Sequence, residues 1–292
     1  MHNLVSLSGV LRSLQEAGIP LVVMGGQAVG AYGASEGSRD LDIYLAAPEA
    51  SVQRLTAWLE QVRARLRYLP PLSAPVLERG HTVHYDVPFG TSSVVRLDVC
   101  TRPARIADPE NLPARAMPYT LADGTTILVM GLSDLIQTKK TQRLKDWGAI
   151  EMLLAASIAT SPAPSEALVR VWLEELRDPD LLQTVAAAQP SLAARVAEHR
   201  PALATALAGD IPGMKAALLR ELQDGIEADR AYQRAFTSEI GGVGCRRAGD
   251  HMEVVKLPEA KHGFGLLPRR WVVERTFSPP STGLCGPWAG RL

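Results

Sequence analysis

The sequence predicts an α/β protein in which a small mixed sheet with helices spans residues 1–157 and an α-helical domain spans residues 165–240. Before residue 157, short apolar runs bounded by glycine or proline alternate with segments of helical period. The run Ser-Pro-Ala-Pro-Ser at residues 161–165 is typical of a linker. The segment after it is rich in Ala, Leu, Arg and Glu, which favours several helices. Residues 241–292, rich in glycine and proline, are expected to form an irregular tail.

The individual elements follow from the period and from the residues that end each segment. The apolar runs predict strands at residues 21–24, 40–46, 82–87 and 93–100. The helical segments predict helices at residues 3–17, 27–32 and 50–68, two more from 133 to about 156, and several within 166–236. Pro70 and Pro71 end the third of these helices. The Asp123-Gly124 pair between apolar stretches predicts a hairpin.

Composition excludes several classes of protein. The 292 residues suit about two domains. The 31 basic and 31 acidic residues balance, so the chain lacks the overall basic charge of many nucleic-acid-binding proteins. The three cysteines are too far apart for a disulfide framework or a cysteine zinc site. No signal peptide is evident, and Pro20 and several glycines break the longest uncharged run, so we expect a cytoplasmic protein with no membrane span.

Two aspartates lie two residues apart in a predicted strand. Asp40 and Asp42 therefore project to one face, while Leu41 and Ile43 point to the other and pack. Carboxylates this close repel each other unless a cation bridges them, and oxygen ligands on a strand suit Mg²⁺. The alternative is an Asp-x-Asp pair at a solvated strand end with no role.

Two glycines follow the strand that precedes this pair. Gly25 and Gly26 lead into a predicted helix, where bare backbone N–H groups would face a phosphate. The alternative is that they serve only the turn. No Lys-Ser or Lys-Thr follows Gly30, so the segment is not a P-loop.

A third carboxylate lies in a later strand. Val95, Leu97 and Val99 occupy one strand face, which places Asp98 on the opposite face together with its alternate neighbours. A carboxylate in a Val-rich strand is unusual unless it binds something. If this strand lies beside that of Asp40, the three carboxylates converge and suffice for a two-metal site.

Charged residues also interrupt an apolar stripe between residues 131 and 154. At about 100° per residue, Lys139, Arg143 and Asp146 fall in the middle of the leucine and isoleucine positions. One interpretation is a set of cations that bind the phosphates of a nucleotide and are held by Asp146. The other is a buried ion pair between Arg143 and Asp146, or side chains that reach to the surface.

Together these motifs resemble those of the DNA polymerase β-like nucleotidyltransferase superfamily. Within it, the chain is most similar to the minimal nucleotidyltransferases and the abortive-infection type IV toxin group, over residues 1–157. The resemblance implies that Gly25 and Gly26 hold a triphosphate. It implies two Mg²⁺ ions bound by Asp40, Asp42 and Asp98. It matches a further nucleotide-binding motif to Lys139, Arg143 and Asp146.

The implied reaction moves a nucleoside monophosphate from an NTP to a hydroxyl acceptor and releases pyrophosphate, with Asp98 as the candidate general base. The acceptors implied are RNA ends, tRNA included, a partner protein or a small hydroxylated molecule, and a toxin of this group would have an antitoxin partner. The alternative is a non-catalytic nucleotide-sensing or protein-binding module on the same fold. His81 and His84, three apart on a predicted strand, are expected on opposite faces and so share no metal.

Overall fold

The computed structural model describes residues 6–34, 38, 40–46, 48–68, 70–90 and 93–240, with the backbone alone at Pro48 and over 235–240. The predicted irregular tail lies outside these residues. The strands are β1 (Leu21–Met24), β2 (Asp40–Leu45), β3 (Arg65–Tyr68), β4 (Val83–Phe89), β5 (Ser93–Cys100), β6 (Met117–Thr120) and β7 (Thr126–Val129).

Twelve α-helices lie within the described part of the chain. Seven belong to the first half, namely α1 (Leu7–Glu16), α2 (Gly25–Ala31), α3 (Pro48–Gln61), α4 (Ala74–Glu78), α5 (Leu112–Arg115), α6 (Leu132–Lys139) and α7 (Leu144–Thr160). The second half contains α8 (Glu166–Glu175), α9 (Pro179–Ala188), α10 (Pro190–Ala197), α11 (Pro201–Leu207) and α12 (Ile211–Ile240). None of the described helices is long and apolar enough to cross a bilayer.

The strands form one mixed sheet in the order β3-β4-β5-β2-β1-β7-β6. Strand β2 pairs in parallel with β5 and antiparallel with β1, and β1 pairs in parallel with β7. The predicted α/β class, with a mixed sheet followed by helices, is confirmed. The hairpin is also confirmed, since β6 and β7 pair around a turn in which Gly124 has φ +85 and Asp123 accepts a hydrogen bond from the Thr125 amide.

One face of the sheet packs against α1 and α3 and forms the first core. Leu41, Ile43 and Leu97 on this face are fully buried, as the alternation in the sequence predicts. The two helices meet where Trp58 Nε1 donates to Ser13 Oγ at 2.9 Å. The opposite face carries the predicted aspartates.

The predicted helix at residues 50–68 is wrong over its last seven residues, which is about two turns. Helix α3 ends at Gln61, Arg63 takes φ 54, and residues 65–68 form the edge strand β3. The segment has the period of a strand, because two arginines alternate with Leu66 and Tyr68. The short helices α4 and α5 were not predicted either.

A second core lies among the helices after residue 165, and it includes side chains from α6 and α7. Ile136, Trp147 and Ile150 pack with apolar residues of the later helices, whereas Leu135 and Leu153 pack into the first core. Helices α6 and α7 therefore contribute to both cores. Gly225 of α12 contacts the Trp147 ring so closely that a Cβ on this glycine would overlap the ring.

We expect Gly225→Ala to lower the free energy of unfolding by about 1–3 kcal/mol, since the added methyl group overpacks the contact between α12 and Trp147. The matched control is Gly148→Ala in α7, where a Cβ would meet no described atom within 4 Å. That variant should gain about 0.5–1 kcal/mol, because alanine favours a helix interior over glycine. Urea denaturation of both variants measures the difference, and equal stability of the two would contradict the close helix contact.

Candidate active site

The face of the sheet opposite α1 and α3 carries two rows of polar side chains that run across the strands. One row follows the cross-strand pairs Tyr68–His84, His84–Asp98, Asp98–Asp42 and Asp42–Met24. The neighbouring row follows Asp86–Arg96 and Arg96–Asp40. Paired residues of adjacent strands point to the same face, so these side chains are neighbours.

Asp42 and Asp98 are directly opposed on the parallel strands β2 and β5. Adjacent strands lie about 4.7–4.9 Å apart, so their carboxylates share one small region of the face. Asp98 is 8% exposed, which is unusual for a carboxylate unless it has polar partners. Asp40, two residues before Asp42, lies on the same face one position along the strand. The structure thus places the three predicted carboxylates together.

Gly25 lies against the Asp42 carboxylate. It has φ +67, and a Cβ at this position would overlap both the Oδ2 and the Cγ of Asp42. Helix α2 begins at Gly25 with the extended Met24 as its N-cap, so the backbone of Gly25 and Gly26 lies beside Asp42. The absence of a side chain at position 25 is therefore a steric requirement of the site as well as of the turn.

Asp98 contacts two side chains that position its carboxylate. His84 Nδ1 donates to Asp98 Oδ1 at 2.8 Å, and Arg96 Nε lies 3.2 Å from the same oxygen. The His84 ring is held edge-on against Tyr68, with centroids 5.6 Å apart. The imidazole is thus fixed between an aromatic ring and the carboxylate.

Sequence reasoning missed His84 as part of this face. Val83, Tyr85 and Val87 are paired with the core-facing residues of β5, which leaves His84 and Asp86 on the side of the aspartates. The alternation of Val83, Tyr85 and Val87 with His84 and Asp86 along β4 indicates that His84 and Asp86 share a face. The register that sets His84 opposite Asp98 depends on pairing between strands, which the alternation does not specify.

Arg96 pairs with Asp40 across β5 and β2. Its Nη2 donates to Asp40 Oδ2, and both side chains are about four-fifths buried. The Nε atom of Arg96 is buried without an aligned hydrogen bond among the described residues, although it lies near Asp98. The guanidinium therefore lies between two of the three predicted metal ligands.

The fit of a divalent metal to this face depends on Asp42 and Asp98. Among the described residues, no group of three or more His, Cys, Asp or Glu side chains is arranged to hold a metal ion. Mg²⁺ needs only one or two carboxylates when substrate phosphates and water complete its shell. The opposed pair Asp42 and Asp98, beside a backbone without a side chain at Gly25, is a donor set of this kind.

Two further side chains follow Asp42 and Asp98 on the same face. Tyr44 pairs with Cys100 across β2 and β5, and Cys100 Sγ lies 3.7 Å from Met24 Sδ. Burial, followed by the nearby Cys100 thiol, raises the pKa of the Tyr44 phenol, which is therefore neutral at physiological pH. Beyond the carboxylates, the face thus continues as a less polar surface.

The predicted charged motif between α6 and α7 forms a cluster around Asp146, which is fully buried. Arg143 Nη2 donates to Asp146 Oδ2, Thr141 Oγ1 donates to the same oxygen at 2.5 Å, and Lys139 Nζ lies 3.9 Å from Oδ1. The interpretation as a buried ion pair between Arg143 and Asp146 thus describes an interaction that the structure contains.

The single helical face assumed for residues 131–154 is wrong, although the two predicted helices are present. Helix α6 ends at Lys139, and Arg143 is an extended residue that precedes α7. The break allows Thr141 to accept from Trp147: Nε1 of the indole donates to the Thr141 carbonyl at 2.6 Å. Because the chain turns around Asp146, both Lys139 and Arg143 lie near its carboxylate.

Two loops next to these sites contact helix α12. The Gln142 amide donates to Asp229 Oδ2 at 2.9 Å, and Arg105, in the loop after β5, lies 3.8 Å from Asp229 Oδ1. Arg105 also donates to the Gly225 carbonyl at 3.4 Å and has φ +65. Asp229 thus ties α12 both to the loop after the strand of Asp98 and to the loop before Arg143.

Among solved structures of known proteins, the chain is similar to nucleotidyltransferases. The chain is similar to a protein from H. pylori provisionally assigned as a nucleotidyltransferase, at 16% identity and a TM-score of 0.35, over 74% of this chain and 95% of that chain. It is also similar to ANT(2'')-Ia in complex with adenylyl-2''-tobramycin, at 11% identity and a TM-score of 0.30, over 73% of this chain and 94% of that one. The solution structure of the antibiotic-resistance factor ANT(2'')-Ia matches at 16% identity and a TM-score of 0.30, over 65% and 92%.

No family model matches this chain, and no curated protein sequence does. The solved structures belong to the class that the sequence motifs resemble.

We expect Gly25→Ala to destabilise the protein more than Gly33→Ala does. Both glycines have positive φ, so an alanine at either position costs roughly 1–2 kcal/mol of backbone strain. Only at position 25 does the methyl group also overlap Asp42, whereas at Gly33 no described atom lies within 4 Å. The additional cost is about 1–3 kcal/mol, measured by chemical denaturation. Similar losses in the two variants would show that Asp42 does not constrain position 25.

We expect Arg143→Met to lower the free energy of unfolding by up to about 3–5 kcal/mol, because it removes the closest counter-ion of the fully buried Asp146. The control is Arg195→Met, which breaks an ion pair between exposed residues and should cost no more than about 1 kcal/mol. Denaturation curves of both variants provide the measurement. A loss for Arg143→Met no larger than that of the control would rule out a structural role for the ion pair.

Proposed function

We propose that the chain is a metal-dependent nucleotidyltransferase that moves a nucleoside monophosphate from an NTP to a hydroxyl acceptor. The observation that carries the proposal is the register of β2 and β5, which sets Asp42 directly opposite Asp98 beside the backbone of Gly25. Two carboxylates facing a backbone without a side chain form a donor set for a divalent ion and its phosphate ligands. The proposal includes Gly25 and Gly26 as the backbone that contacts the triphosphate.

Asp42 and Asp98 would hold the divalent ion. When bound, the ion neutralises phosphate charge and lowers the pKa of an acceptor hydroxyl. The side chains and backbone of the protein supply the other groups that the reaction needs. Gly25 lets the Asp42 carboxylate lie directly against the backbone at the start of α2, because a Cβ at position 25 would overlap it.

Asp98 accepts the proton of the acceptor hydroxyl in this proposal. The hydroxyl oxygen attacks the α-phosphorus, the bond from that phosphorus to the bridging oxygen breaks, and pyrophosphate leaves with the electron pair. His84 and Arg96 contact Oδ1 of Asp98 and so fix the orientation of the carboxylate. A fixed base saves the cost of orienting it during the reaction.

The cluster around Asp146 is proposed as a second source of positive charge for the nucleotide. Lys139 and Arg143 both lie at the Asp146 carboxylate, which brings positive charge to this part of the fold. A triphosphate favours such a charge. Asp146 would then set the positions of the two cations, and its burial would keep the cluster rigid.

The acceptor is proposed as a class, a molecule with a free hydroxyl, which includes an RNA end such as that of tRNA, a partner protein or a small molecule. A toxin-like role with an antitoxin partner belongs to the same proposal. The alternative is a non-catalytic nucleotide-sensing or protein-binding module, and it is not favoured by the burial of Asp98. A site without chemistry has no physical reason to keep a buried carboxylate opposite a second one.

We expect Asp42→Asn and Asp98→Asn each to lower nucleotidyl transfer by at least ~10²-fold. Asp42→Asn removes a metal ligand, whereas Asp98→Asn removes both a metal ligand and the general base. The assay incubates the purified chain with Mg²⁺, each α-labelled NTP and, in separate reactions, total RNA, lysate protein or hydroxylated small molecules. Incorporated label reports the transfer. The control Asp123→Asn changes an aspartate of the β6–β7 turn and should retain full activity.

The same proteins separate the enzyme from the sensor. A sensor would be stabilised against heat by an NTP with Mg²⁺ but would transfer no label to any acceptor. An enzyme would show both effects. Full transfer activity in Asp42→Asn would overturn the assignment of the site.

A further inference from the structure

The order of the strands separates two sides of the candidate active site. Gly25 follows the end of β1, next to Asp42 of β2. On the other side of Asp98 lie β4, with His84, and then the edge strand β3. In phosphoryl transfer the attacking and leaving oxygens lie roughly in line, on opposite sides of the phosphorus. In the proposed reaction the pyrophosphate leaves toward Gly25, so the acceptor approaches over β4 and β3.

A β-bulge turns three of the four residues of β3 to the face of the aspartates. Arg65 pairs with Asp86 and therefore lies on this face. The register then shifts around Arg67, whose Nη1 donates to Asp86 Oδ1 at 2.7 Å, so this arginine lies on the same face. Strict alternation would send Tyr68 to the core, and the bulge brings it to the face as well.

The two arginines of β3 differ in what holds them. Arg67 also donates from Nε to Tyr68 Oη at 3.0 Å, which fixes its guanidinium while 31% of the side chain remains exposed. Arg65 is exposed and forms no ion pair within the described part of the chain. The edge of the sheet thus presents one fixed and one exposed guanidinium. The planar N–H groups of arginine match the oxygens of a phosphate.

The position of β3 favours an acceptor with several phosphates. β3 lies two strands away from β5, so its arginines lie about 10 Å from Asp98 across the sheet. A stacked nucleotide strand advances about 3.4 Å per phosphate. A polynucleotide with its terminal hydroxyl at Asp98 therefore brings a phosphate about three residues away to the arginines. A small acceptor does not span this distance, and the exposed cation would repel an amine.

We infer that β3 is the acceptor-binding edge of the site, where Arg65 and Arg67 bind the phosphates of a polynucleotide whose terminal hydroxyl lies at Asp98. The polynucleotide is one of the acceptor classes proposed above. The inference rests on the proposed function, because the triphosphate at Gly25 sets the side from which the acceptor approaches.

The test measures the binding of a short, fluorescein-labelled single-stranded RNA with a free 3′ hydroxyl to the full chain, by fluorescence anisotropy at several salt concentrations. Arg65→Gln should weaken binding about ten-fold and reduce the slope of log affinity against log salt by about 0.7, because one phosphate contact is lost. Arg65→Lys keeps the charge and should retain most of the affinity. In the transfer assay Arg65→Gln should raise the KM for RNA and leave kcat unchanged.

The matched control is Arg220→Gln, because Arg220 is an exposed arginine of α12 that likewise forms no ion pair with a described residue. This variant should bind RNA like the wild type. Equal RNA affinity of Arg65→Gln and the wild type would overturn the inference, and so would transfer of label only to proteins or small molecules. Failure of the proposed function gives a different result, in which the wild type transfers label to no acceptor of any class.

Discussion

The parallel pairing of β2 with β5 is the constraint on which the candidate site depends, because it sets Asp42 opposite Asp98 and Asp40 opposite Arg96 in a single register. A shift of one residue would turn one set of side chains to the core face and bury carboxylates among Leu41, Ile43 and their neighbours. The apolar core therefore fixes the geometry of the charged face. Packing on one side of the sheet and chemistry on the other follow from the same alternation.

The second constraint is the contact of the helices with the sheet domain. Helices α6 and α7 contribute side chains to both cores, and Asp229 of α12 contacts the loop after β5 and the loop before α7. A displacement of α12 would therefore disturb the loop after β5 and the loop before α7 together. The two halves of the chain are coupled through a few buried polar contacts in addition to their apolar surfaces.

Local pattern was sufficient for much of the fold and for part of the site. Alternation with Leu41 and Ile43 correctly predicted that Asp40 and Asp42 share a face, and the Asp-Gly pair predicted the hairpin. The pairing of Arg96 with Asp40 and of His84 with Asp98 depends on register between distant strands, which no local pattern specifies. The break between α6 and α7 was missed in the helical projection because no glycine or proline marks it, and a buried carboxylate organises the turn instead.

The contact between Gly25 and Asp42 has a consequence for how this sequence can change over generations. A side chain at position 25 requires that the side chain at position 42 become smaller, and a residue smaller than aspartate has no carboxylate. While Asp42 is under selection, position 25 can only be glycine. Once the carboxylate is lost, selection at both positions is relaxed together, so lineages that abandon this site should show paired replacements at 25 and 42, whereas open glycines such as Gly30 should vary independently.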